Sequence, residues 1–245
     1  MTRHSLDGGT AVAAGVSAGV GRATARALAR EGATVVLAAR SEDRLGDVAS
    51  TAREECDTAA LVVPTDVRDE NAVVAPVEAT VERCCGLDVL VDNAGLTRGG
   101  PIENMPTEQY RTMMDTNVDW ILFAARAVIP HLRESAGTMV FLGSFAGRSP
   151  HASNPVYAAN KWWTRGSGKS LSAQVCDDFA VSVVNPAELR TEFGDEDATP
   201  FEERSDEGDA GEPADIAEAV VLAATRPPSM APEIDLSRRD KFELF

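Results

Sequence analysis

Lysine is nearly missing from this chain of 245 residues: of its 23 basic residues only Lys161, Lys169 and Lys241 are lysine, the rest being arginine. Tyrosine is as scarce, with Tyr110 and Tyr157 alone. The four cysteines, Cys56, Cys84, Cys85 and Cys176, form no C-x-x-C pair and have no histidine at ligand spacing. That speaks against a zinc site or a disulfide framework, and no metal is expected; the cysteines read as buried small hydrophobes. No run approaches the roughly 20 apolar residues of a membrane span, and the first residues lack the basic and apolar pattern of a signal peptide, so a cytoplasmic protein is expected. Acids outnumber bases 39 to 23, for a net charge of -16 and a pI near 4.6. Nucleic acid and anionic membranes would be repelled over the whole surface, which excludes both as partners. The acids are spread along the chain, a pattern that fits a halophilic protein whose carboxylate-covered surface stays hydrated while salt screens its self-repulsion. An ordinary acidic enzyme would carry a similar balance.

What is present is a regular alternation. Short runs of Val, Leu and Ala recur at Thr10–Ala14, Thr34–Ala38, Ala60–Val63, Asp88–Val91, Thr138–Leu142, Ala180–Val184 and Glu233–Leu236. Too short for helices and apolar without alternation, they read as strands buried on both faces. Between them lie segments with helix-period apolar residues, such as Ala23, Ala27 and Leu28, each long enough for a crossover. The fold class is therefore α/β: a doubly wound parallel sheet of about seven strands, the Rossmann fold, with helices on both faces. No repeat or linker divides residues 1–245, so one domain is expected. One stretch, 192–212, is acidic and aperiodic, with Gly194, Pro200, Gly208 and Gly211. A segment of that length within a compact domain reads as a substrate lid or a solvated loop.

The first strand runs into Gly15-Val16-Ser17-Ala18-Gly19-Val20-Gly21 and then a helical pattern. Glycines at a strand-to-helix turn let the backbone approach a pyrophosphate, which sits on the first N–H groups of the helix. Further on, Tyr157-Ala158-Ala159-Asn160-Lys161 places a lysine four residues after a tyrosine, on one helix face. With so few of either residue, chance gives such a pair on the order of two per cent of the time. A nearby ammonium favours the phenolate, so Lys161 is expected to lower the pKa of Tyr157.

With its G-x-x-x-G-x-G spacing the chain resembles the short-chain dehydrogenase/reductase family, and the resemblance accumulates along its length. Asp66-Val67 follows the third strand, where the family contacts the adenine, and Asn93-Ala94-Gly95 follows the fourth. Asn117 falls in the long central helix, Ser144 follows the fifth strand, and Tyr157 and Lys161 match Tyr-x-x-x-Lys. Asn185-Pro186 and Thr191 match the segment after the sixth strand. The resemblance implies catalysis by Asn117, Ser144, Tyr157 and Lys161. It implies cofactor binding by Gly15, Ser17, Gly19, Val20, Gly21, Arg40, Asp66, Val67, Asn93, Ala94, Gly95, Pro186 and Thr191, together with Tyr157 and Lys161. In three places the chain departs from the family pattern: Ala14 precedes the first glycine, Asp92 replaces the first asparagine of Asn-Asn-Ala-Gly, and Ala187 replaces a glycine after Pro186.

The implied activity is hydride exchange between a nicotinamide cofactor and a small-molecule carbonyl or alcohol. Tyr157 would donate the proton, Ser144 hold the oxygen, Lys161 hold the ribose and acidify Tyr157, and Asn117 position a water of a proton relay. At the end of the second strand stands Ala39, where NAD-preferring members carry an acid, and then Arg40, whose guanidinium can pair with a 2′-phosphate. NADP is therefore expected over NAD, although Arg40 could instead cap the next helix or meet Glu42 and Asp43. The run Ala214–Val220 with Arg226-Pro227-Pro228 resembles the branch acting on small 3-hydroxy acids. Adjacent Trp162 and Trp163 read as core or interface packing, and the family associates through this helix, so a homodimer or homotetramer is expected. A nucleotide-binding sensor or scaffold that had lost catalysis is the rival reading, and one that a missing Tyr, Lys or Ser would favour. The longer epimerase and dehydratase relatives need a larger C-terminal domain.

Overall fold

The computed structural model describes residues 5–194, 203, 206, 208–226 and 229–240. Seven strands form one sheet in the order β3-β2-β1-β4-β5-β6-β7, with every neighbouring pair parallel. They are β1 Thr10–Ala14, β2 Thr34–Ala39, β3 Ala60–Pro64, β4 Val89–Asp92, β5 Thr138–Leu142, β6 Ala180–Pro186 and β7 Glu233–Leu236. The helices are α1 Gly19–Arg30, α2 Glu42–Cys56, α3 Glu70–Cys84, α4 Thr107–Met114, α5 Trp120–Ser135, α6 Pro155–Val175 and α7 Pro213–Ala224.

Alternation along each strand divides the core in two. Ala11, Ala13, Val35, Leu37, Val89 and Val91 face α1, α2 and α7, while Val12, Ala14, Val36, Ala38 and Leu90 face α3, α5 and α6. Because both faces are covered, both sets must be apolar, which is why the strands read as unbroken hydrophobic runs. Strand order reverses between β1 and β4, and the carboxyl ends of these two strands flank the crevice where a ligand sits in such sheets.

One expectation is corrected. The cysteines are not buried: Cys85 and Cys176 are exposed caps at the ends of α3 and α6, and Cys56 and Cys84 are partly exposed. The long central helix that holds Asn117 runs from α4 into α5 through a π-turn at Asp115–Asp119, which contains Asn117. Of the two readings of Trp162 and Trp163, core or interface packing, exposures of 47% and 39% leave the interface one. The run Ala214–Val220 lies in α7, where Ile216, Ala217, Ala219 and Val220 are buried among the residues packed around α1.

The segment 192–212 lies partly outside the described residues. Its two ends meet, because Leu189 pairs with Gly211, Arg190 N donates to Gly211 O at 2.9 Å, and Gly211 N donates to Glu188 O at 3.1 Å. Among the described residues no helix is long and apolar enough to cross a membrane, and no group of three or more His, Cys, Asp or Glu is arranged to hold a metal.

Candidate active site

The loop after β1 is built for close backbone approach. Gly15 sits at φ +72°, and a Cβ there would lie 2.7 Å from Ala94 Cα; a Cβ on Gly21 would lie 2.2 Å from Gly15 O. Any side chain at either position would push the loop off the β4 end. Asn93 Nδ2 donates to Gly15 O at 2.7 Å and Arg22 Nη2 to Ser17 O at 2.9 Å, so the loop is held from both sides. Ala18 precedes α1 and supplies no side-chain cap. The first N–H groups of α1 therefore have no side-chain acceptor there, and residues 17–20, including Val20, are partly exposed. An open helix start beside a glycine turn that admits no Cβ fits a dinucleotide pyrophosphate. Thr191, buried after β6, comes within 3.5 Å of a Cβ placed on Gly19, so it borders the same loop. Pro186 ends β6, and Ala187 N continues the pairing by donating to Leu236 O at 2.8 Å, so alanine in place of glycine leaves the backbone path regular there.

Farther along the same edge, Ala39 pairs with Pro64 in register, which brings Arg40 and Asp66 next to one another past the strand ends. Arg68 bonds Asp66 and holds its carboxyl down at about 2, and Arg40 adds to the effect through space. Val67 is buried. Arg40 is exposed and makes no hydrogen bond or ion pair with a described residue; it neither caps α2 nor meets Glu42 or Asp43.

On the other side of the crevice, Ser144 caps a short 3-10 turn at Phe145–Gly147, its hydroxyl accepting from Ala146 N at 3.1 Å. A Cβ on Gly147 would lie 2.5 Å from Lys161 O, so glycine lets this turn seat against α6. Asn154 starts α6: its side-chain oxygen accepts from Tyr157 N at 3.0 Å, and its Nδ2 donates to Arg98 O at 2.9 Å and to Thr97 Oγ1 at 3.2 Å. The signal for this residue was present as an asparagine followed by proline at the first helical position.

Tyr157, Ser144 and Lys161 converge at the end of β5. Lys161, 8% exposed, has its ammonium 6.0 Å from the phenol ring centre, where it donates to Leu142 O at 2.8 Å. The pKa expectation for Tyr157 is overturned: enclosure of the phenol pushes it up to about 12, and only the nearby Ser144 hydroxyl acts downward. At 6.0 Å from the ring centre, Lys161 does not offset that desolvation. Asn117 is buried with its amide fully engaged: Oδ1 accepts from Leu96 N at 2.9 Å, and Nδ2 donates to Leu96 O at 2.8 Å and to Asn160 Oδ1 at 3.2 Å. It thus fixes the loop after Gly95. Two rings missed by sequence reading flank Tyr157: His151 edge-on with centres 6.3 Å apart, and Phe193 tilted at 6.0 Å. Nothing in their spacing announces them, because they arrive from separate loops.

A sheet of this order, with a glycine turn at one side of its crevice and a Tyr–Ser–Lys cluster at the other, defines a dinucleotide-binding oxidoreductase. The chain belongs to the short chain dehydrogenase family, whose profile matches residues 9–200. It is 32% identical over 221 residues to an uncharacterized oxidoreductase of Staphylococcus epidermidis, covering 89% of this chain and 91% of the relative. Among solved structures it is similar to an alcohol dehydrogenase from the archaeon Thermococcus sibiricus complexed with 5-hydroxy-NADP. That likeness has 27% identity and a TM-score of 0.84, over 93% of this chain and 95% of that one. It is also similar to a 3-ketoacyl-(acyl-carrier-protein) reductase from Brucella melitensis complexed with NADH, with 27% identity and a TM-score of 0.84, over 95% and 98% of the two chains.

Proposed function

We propose that the chain is an NADP-preferring oxidoreductase that interconverts a small-molecule carbonyl and its alcohol. The observation that carries this reading is the meeting of Ser144, Tyr157 and buried Lys161 at the end of β5, with the Lys161 ammonium 6.0 Å from the phenol ring centre. When bound, the nicotinamide cofactor supplies or accepts the hydride. Tyr157, protonated over the whole neutral range, gives its proton to the carbonyl oxygen in reduction and takes it back in oxidation. Ser144 offers its hydroxyl to the developing oxyanion. Lys161 uses one N–H on Leu142 O and keeps two for ribose hydroxyls. The Asn117 amide is engaged with Leu96 and Asn160, so any relay water rests on the backbone carbonyl of the widened turn.

Preference for NADP over NAD is supported by the uncommitted Arg40 fork beside Asp66 and by the absence of an acid at Ala39. The lean toward small 3-hydroxy acids has no support from the fold, since its run is core packing of α7; the rings that flank the Tyr157 ring are His151 and Phe193. Assembly into a dimer or tetramer is supported by Leu122 on α5 and Trp162 and Trp163 on α6, exposed on helices that cover one sheet face. A halophilic, cytoplasmic setting is supported by the charge of -16 alone. Its test is a melting curve against KCl, in which stability is expected to rise toward molar salt; a flat curve contradicts it. Oxidation of NADPH with a panel of ketones and aldehydes tests the activity, and no turnover across the panel would favour the sensor.

A further inference from the structure

Asp92 stands where the family pattern has asparagine, and the fold buries its side chain. It ends β4, opposite Phe141 of β5 in register, and is 3% exposed. Side chains two residues apart share a sheet face. Asp92 therefore points, like Leu90, to the side of α5 and α6. There its carboxylate accepts a hydrogen bond from the Trp120 indole of α5. Lys161 reaches the same corner from α6: its ammonium sits on the carbonyl of Leu142, the residue after Asp92's strand partner, and is 3.8 Å from a Cβ placed on Gly95.

We propose that Asp92 is a positioning residue acting through Lys161, the buried counter-charge that keeps its ammonium charged inside the site. An ammonium buried without a counter-charge gives up its proton at lower pH than one in water, and a carboxylate a few ångströms away reverses that. Burial lowers Lys161 and raises Asp92, while each partner's charge opposes the other's shift. The groups facing the pair from the remaining elements are uncharged: Ser144 and Leu142 O from the β5 end, Asn117 from the π-turn, Trp120 from α5, and Tyr157, neutral below about 12, from α6 itself. Burial raises the Asp92 carboxyl, and the Trp120 indole that donates to it acts against that rise, so the indole belongs to the same device.

The inference rests on the proposed role of Lys161, and its test does not need turnover. Because the chain holds three lysines, protein labelled with carbon-13 at lysine Cε gives three signals, and Lys161→Arg identifies the one that belongs to Lys161. The titration midpoint of that signal is followed in the parent and in Asp92→Asn, which keeps the shape and an acceptor oxygen but not the charge. The midpoint is expected to fall by about one pH unit or more, with Lys169 unmoved. An unmoved Lys161 midpoint overturns the proposal. Trp120→Phe is the second variant: without the indole Asp92 holds its charge less well, and the midpoint is expected to fall in the same direction by a smaller amount. In turnover, the alkaline limb of carbonyl reduction is expected to move to lower pH in Asp92→Asn, whereas a merely structural role would lower kcat equally at every pH. A chain that reduces no carbonyl yet shows the NMR shift would remove the proposed function and leave the counter-charge standing.

Discussion

The Asn154 side chain joins the two walls of the site: it accepts from the backbone of Tyr157 at 3.0 Å and donates to Arg98 O at 2.9 Å. One amide thus caps the catalytic helix and ties it to the loop after β4. Asn154→Ala is expected to cost about 1 kcal/mol of stability from the lost cap. Asn154→Ser, which keeps a capping oxygen, is expected to recover most of that while still losing the tie, so that KM for the carbonyl rises in both variants. Denaturant unfolding beside steady-state kinetics separates the two effects, and an alanine variant as stable as the parent would show that the cap contributes nothing.

Much of this was legible beforehand. All seven strands fall where apolar runs predict them, because a sheet covered on both faces leaves no polar position to blur the signal. The fourth is displaced by one residue: Asp88 lies outside the strand, with its carboxylate accepting from Thr10 N at 2.7 Å, while Asp92, read as the first residue of a loop, is the buried strand end. Charge argued against that burial, and only the indole of a residue 28 positions away explains it. The π-turn around Asn117 was likewise invisible, since no proline or glycine marks it and the Leu96 backbone its side chain bonds lies 21 positions away.

The α6–β7 edge gives a pH prediction. Arg165 and Lys169 both pair with Glu233, whose side chain is 17% exposed, and Asn185 donates to it at 2.9 Å. The Arg165 hydrogen bond, foremost, holds its carboxyl down at about 2 against an ordinary 4.5. A depressed carboxylate contributes stability above its unfolded pKa and loses it as pH falls through the folded one. Glu233→Gln is expected to cost on the order of 2 kcal/mol at neutral pH, the difference fading between pH 4.5 and about 2. Urea unfolding across that range checks it; a gap that stays constant with pH would detach the effect from ionisation.

Cofactor preference should follow the end of β2. The parent is expected to favour NADPH in kcat/KM, and Ala39→Asp with Arg40→Ile to move the preference toward NADH by about tenfold or more, since an acid there accepts from the ribose and repels a 2′-phosphate. A parent that prefers NADH, or a double variant with unchanged preference, would remove Arg40 from the cofactor site.

The most direct test of the account is Tyr157→Phe, measured for turnover and for NADPH binding on the same preparation. Removing the phenol oxygen deletes the proton donor while leaving the glycine loop and Lys161 in place. Turnover is expected to fall by a factor on the order of 10² to 10⁴ with the dissociation constant for NADPH nearly unchanged. Turnover close to that of the parent would contradict the account, because some other group would then be protonating the oxygen.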